Sequence, residues 1–135
     1  MNNNQAFHQL SFYTLAQPRD YFIHQHCVDA YAAQMADKST KPIAIVFGLV
    51  GLYLYLEKDY TGREVQLFHM KMAKHKLQWP IISLPENKGA ITVKDVLAAT
   101  SDTEKDTKIK QWCKAVWDAF ADNRSIIIQL VDSYQ

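Results

Sequence analysis

Neither sign of charge is in useful excess in this sequence. Fifteen Lys and Arg stand against fourteen Asp and Glu, a formal net charge of +1 with five neutral His. That balance provides no strong field for binding nucleic acid or an acidic membrane. Cysteine is also scarce. Cys27 and Cys113 are the only two, without metal-type spacing around either, so a disulfide-stapled secreted scaffold is not expected. Both read as reduced thiols of a cytoplasmic protein. Proline and glycine number four each, too few for a loop-rich or collagenous chain. The longest uncharged apolar run, Ile43 to Leu56, has fourteen residues, short of the roughly 20 that a membrane span requires. The opening MNNNQAFHQL lacks the basic and apolar regions of a secretory signal. No P-loop, G-x-G-x-x-G or G-x-S-x-G occurs, and no convincing helix-turn-helix.

With 48% hydrophobic residues over 135 positions, the chain can bury the core of one domain. Its periodicity is helical rather than alternating, which predicts an all-α, single-domain bundle of five to six mostly antiparallel helices. The first helix is expected from Asn4 to Ala16, with Pro18 ending it or opening the second, Arg19 to Ala36. In the second, Ile23, Cys27, Ala30, Tyr31 and Gln34 share a face. The polar turn DKSTKP leads to a third helix, Ile43 to Glu57, apolar on all sides and therefore expected at the centre. A strand reading competes there, because IAIVF and LYLYL are rich in β formers. Helix is preferred because no turn divides the run, and Gly48 and Gly51 then permit close packing. Thr61 and Glu64 form a capping box for the fourth helix, whose inner stripe is Val65, Phe68, His69, Met72 and Ala73. An irregular stretch follows from Trp79 to Ile91. Thr92 with Asp95 opens a short helix. Ser101 with Glu104 is read as a second capping box, before a helix with the stripe Ile109, Trp112, Cys113, Val116 and Phe120. The final SIIIQLV is read as helix. Arg63, Lys71, Lys74 and Lys76 give residues 41–78 six basic and three acidic side chains, read as a solvated face.

FIHQHCVDAYAAQ (22–34), KPIAIVFGLVGLYLYLEKDYTGREVQLFHMKMA (41–73), the WP…LP…GAITVKDVLAA pattern (79–99) and the opening HQLSFYTLA resemble a family of small, mostly bacterial, uncharacterised proteins. The resemblance implies a single domain of this length and brings no activity, ligand or catalytic residue.

Chemistry, if present, is expected at the histidines. On a helix His24 and His26 point about 200° apart and cannot share an ion. His24 lies on the wheel beside Cys27 and Tyr31, His26 beside Asp29 and Ala33, and His69 on its helix's inner stripe. One reading brings His24 and His69 together between helices on a divalent transition metal, with His8 and His26 as reserve ligands and metal-bound water as a nucleophile. The competing reading makes them hydrogen-bonded core histidines, since the helical spacings H-x-x-x-H and E-x-x-H are absent. Cys27 near His24 reads as a buried structural thiol rather than a nucleophile. Asp20 and Asp29 could orient an imidazole or form surface helix pairs. The leading expectation is a module that binds a small molecule or a protein, with a homodimer as one form. The alternative is a metal-dependent enzyme.

Overall fold

A computed structural model describes residues 1–17, 22–75 and 78–135, and these residues contain helices and no strand. The helices are α1 (Asn3–Ala16), α2 (His24–Gln34), α3 (Pro42–Lys58), α4 (Gly62–Ala73), α5 (Val93–Leu97), α6 (Asp102–Ala119) and α7 (Arg124–Asp132), with a 3-10 turn at Ala121–Asn123 before α7. The all-α class is as expected. The count exceeds the expected five to six because α5 and α7 both stand as separate helices. The expected start of the second helix at Arg19, the role of Pro18, the acid Asp20 and the lysine Lys76 lie outside the described residues.

The central run is helical, not extended. Pro42 occupies its first turn, where a missing N–H costs nothing. Ile45, Val46, Leu49, Val50, Leu52, Tyr53 and Leu54 are buried around its whole circumference, because α2, α4, α6 and α7 all pack on it. The closest of these pairings, α2 on α3, depends on two glycines. A methyl group at Gly48 would stand 3.0 Å from the Asp29 backbone oxygen, and one at Gly51 would stand 1.8 Å from Asp29 Oδ2. No helix among the described residues is long and apolar enough to cross a membrane.

The caps explain the boundaries. Thr61 and Glu64 form the expected reciprocal box, with Glu64 N–H donating to Thr61 Oγ1 at 3.1 Å and Thr61 N–H to Glu64 Oε1 at 2.9 Å. Asn2 and Gln5 form another at the start of α1, which the sequence reading missed by starting that helix at Asn4. The box expected at Ser101 is only half formed. Ser101 Oγ accepts from Glu104 N–H at 3.1 Å, but the Glu104 carboxylate reaches one residue further back and accepts from Thr100 N–H at 3.2 Å.

The irregular segment is ordered by two buried side-chain amides. Asn123 Oδ1 accepts from Ser83 N–H at 2.8 Å, while its Nδ2 donates to Ser83 O at 2.9 Å. Gln34, at the end of α2, donates to Lys88 O at 3.2 Å and Ile91 O at 2.8 Å, and accepts from Trp112 Nε1–H at 2.9 Å. One side chain thus ties α2, the segment and α6 together. Gln34→Ala leaves a fully buried indole N–H and two carbonyls unpaired, at about 1–3 kcal/mol for an orphaned buried group. The expected result is a loss of about 3 kcal/mol, read as a lower urea midpoint at unchanged slope. A midpoint equal to that of the unsubstituted chain would show that the amide ties nothing down.

Candidate functional sites: the buried histidines and the outer face of the first helix

The five histidines are placed very differently. His24 is the first residue of α2 and half-buried, with Nδ1 2.8 Å from Thr14 Oγ1 of α1. His69 is half-buried on α4, and its Nε2–H donates to the Phe47 carbonyl of α3 at 2.8 Å. Because a carbonyl only accepts, the proton in that bond belongs to Nε2. His8 lies exposed on α1, and His75 is exposed at the end of α4. The fully buried member is His26, 1% exposed, rather than His24. The reason is that α2 is covered on two sides. Packing on α3 and α6 together buries Cys27, Ala30 and Gln34 on one flank and His26, Asp29 and Ala33 on the other.

His26 stacks face to face on Tyr55 of α3, with ring centroids 3.5 Å apart and planes 10° from parallel. Neither ring nitrogen has a hydrogen-bond partner among the described residues. Burial lowers its pKa from 6.5 to about 3, so the ring is neutral. Burial also lowers the pKa values of His24 and His69. Asp29 sits in the notch of Gly51, 3% exposed. Its Oδ1 accepts from Gln25 Nε2–H at 3.1 Å, while Oδ2 has no partner among the described residues. Desolvation outweighs that one hydrogen bond and pushes its pKa well above the usual carboxylate range. The surface-pair reading of Asp29 is therefore wrong, as is an imidazole-orienting role, since its hydrogen bond goes to Gln25.

Both thiols are buried and free. Burial raises their pKa values. Cys113 Sγ lies 3.6 Å from the His26 carbonyl oxygen and donates to it. Cys27 is therefore a structural thiol, as expected. His24 and His69, the pair expected to share an ion, spend ring nitrogens on α1 and α3 respectively. Among the described residues, no group of three or more His, Cys, Asp or Glu side chains is placed to hold a metal ion.

The other distinctive feature is on α1. Ala6, Leu10 and Thr14 point into the core. The opposite side carries His8, Ser11, Phe12, Leu15 and Ala16, at the i, i+3, i+4, i+7, i+8 spacing of one helix face. Phe12 is 82% exposed and Leu15 59%, and the five residues line an open groove of about 420 Å³. No outer stripe stands out in the sequence because apolar residues occur all round this helix. The available signal was the complete lack of Lys, Arg, Asp and Glu in residues 1–17, which is unusual for a helix with a solvent face. A second open groove, of about 480 Å³, runs between α5 and α6 past Asp95, Ala99, Glu104 and Lys108.

Fold and sites together define an all-helical domain with a histidine, an aspartate and two thiols buried among its helices. The chain belongs to DUF5946, a family of unknown function, whose pattern spans residues 4–121. No curated protein and no solved structure matches it.

Proposed function

We propose that the protein is a non-catalytic docking module that engages another protein through the outer face of α1. The observation that carries this reading is the second apolar stripe of that helix. A helix that already buries one apolar face gains nothing from a second unless something covers it. A large, exposed aromatic at the centre of such a stripe is also the residue type that dominates binding energy at interfaces. The two free, buried thiols are compatible with a reducing compartment, and the module is assigned to the cytoplasm on that basis. A photo-crosslinking aromatic amino acid placed at position 12 or 15 in cells producing the protein tests the reading. Discrete cross-linked species are expected at both positions and not at Ser133, an exposed position near the other end of the chain. No adduct at either position above that control would end it.

A further inference from the structure

The fold gathers part of the basic middle of the sequence at one end of the bundle. Helices α3 and α4 are joined by residues 59–61 and run antiparallel, with the Phe47 and His69 ring centroids 5.1 Å apart. The start of α3 and the end of α4 therefore lie at the same end. The stretches that meet there, residues 38–56 and 65–85, contain no Asp or Glu. Lys38, Lys41 and Lys74 are exposed at this end, and none is ion-paired among the described residues. Asp37 is the acid of the adjoining turn. Its carboxylate folds back to accept from Ser39 N–H at 2.8 Å and from Ser39 Oγ–H at 2.6 Å.

Between the lysines lies an apolar tip. Ile81 is 85% exposed, more than any other large hydrophobic side chain among the described residues. With Ile43 and Trp79 it lines an open groove of about 520 Å³ beside Lys41. The exposure is built in and is not the result of slack chain. Trp79 packs edge-on against Phe47, with centroids 5.3 Å apart. Ile82 is buried, and Asn123 holds both the N–H and the carbonyl of Ser83. Ile81 is thus fixed outward between anchored neighbours, so covering it requires no further ordering of the chain.

We propose that this end of the bundle docks reversibly on a lipid bilayer rich in anionic phospholipid, a contact that goes beyond the α1 reading and uses none of its residues. The aliphatic tip enters the acyl boundary, the tryptophan at its base sits at headgroup level, and the lysines around it meet the lipid phosphates. Single-stranded RNA would suit the charge, but it is held by bases stacked on exposed aromatic faces, and the exposed groups here are aliphatic. The near-zero net charge does not oppose the contact. A Debye length of about 10 Å at 0.1 M salt leaves the local charges to act. One side chain and three charges give a weak, salt-sensitive attachment.

Co-sedimentation of the full chain with vesicles of phosphatidylcholine and phosphatidylglycerol in about equal parts, at about 0.1 M salt, tests the proposal. The chain is expected to pellet with these vesicles. About tenfold less is expected with phosphatidylcholine alone, or in about 1 M salt, where the screening length falls to about 3 Å. Ile81→Asp and the triple variant Lys38→Glu/Lys41→Glu/Lys74→Glu are each expected to lower the partition coefficient about tenfold. Their helical circular dichroism spectra should be unchanged, since all four side chains are exposed. Lys94→Glu/Lys110→Glu/Lys114→Glu, the same charge reversal on α5 and α6, is expected to leave partitioning nearly as it was. Brominated acyl chains are expected to quench tryptophan fluorescence in the unsubstituted chain and not in Trp79→Phe, because Trp112 and Trp117 are buried. No binding to the anionic vesicles, binding that survives Ile81→Asp, or equal losses from the two triple variants would each overturn the proposal. So would a chain that binds single-stranded RNA and not the vesicles.

Discussion

Gly51→Ala is expected to lower stability by about 3 kcal/mol, a large share of the about 5–15 kcal/mol that holds a domain of this size together. Helix propensity alone argues the other way, since alanine in a helix interior gains roughly 1 kcal/mol over glycine. Packing decides the sign. The added methyl carbon would stand 1.8 Å from Asp29 Oδ2 and 2.5 Å from its Cγ, so the carboxyl must move by more than an ångström. It has nowhere to go, because Asp29 is 3% exposed and lies between α2 and α3. Either α2 lifts off the central helix or the carboxyl takes a strained rotamer.

The clash is with a side chain, so shortening that side chain should relieve it. The double variant Gly51→Ala/Asp29→Ala is expected within about 1 kcal/mol of Asp29→Ala alone, a coupling of about 2–3 kcal/mol for residues in direct contact. Gly48 is the control. A methyl group there meets the Asp29 backbone oxygen at 3.0 Å, and no substitution of the Asp29 side chain removes that atom. Gly48→Ala should therefore remain equally harmful with or without Asp29→Ala. Urea unfolding of the five variants separates the two cases. Strict additivity at position 51 would show that the carboxyl is not what the glycine accommodates.

These two glycines show how far the sequence could be read. Their place in an apolar helix pointed to close packing, and the run's composition pointed to the centre of the bundle. The helix boundaries followed from Pro42, Thr61 and Thr92, whose effects are local and so are written in adjacent residues. The sites were less legible because they depend on which helices meet. A wheel of α2 separates His24 from His26, but it cannot show that α2 is buried on two flanks, and that alone decides that His26 goes inside. Asp29 carried a faint signal. Gln25, Ala32 and Ala33 at i−4, i+3 and i+4 leave it no Lys or Arg at surface-pair spacing, only His26 at i−3. Gln34 and Asn123 were not legible, because their partners lie 40 to 78 residues away in the chain.

Lowering the pH from 7 to 4 is expected to destabilise Asp29→Asn more steeply than the unsubstituted chain, and to destabilise His26→Phe less. The signs follow from burial. His26 has a folded pKa near 3 against an ordinary 6.5. Its contribution is therefore complete above pH 6.5 and is lost as the pH falls from there towards 3, because only the unfolded chain takes up the proton. With about 1.4 kcal/mol per pKa unit, the full loss is on the order of 5 kcal/mol. Asp29 behaves oppositely. Its folded pKa is raised well above 3.8, so its contribution is complete below pH 3.8 and is lost as the pH rises through the folded value. Above pH 3.8 the unfolded chain ionises Asp29 while burial favours the protonated carboxyl in the folded chain, and below pH 6.5 the unfolded chain protonates His26 while the folded ring stays neutral, so the two slopes oppose each other. Asn keeps the shape of Asp29 without titrating, and Phe keeps the stack on Tyr55 without titrating, so each substitution exposes the slope of the remaining group. His24 and His69, also lowered by burial, add the same acid loss to all three proteins and cancel in the comparison. Urea midpoints measured from pH 4 to 7 should fan out, with His26→Phe flattest and Asp29→Asn steepest. Three parallel curves would mean that neither group is held neutral by the core.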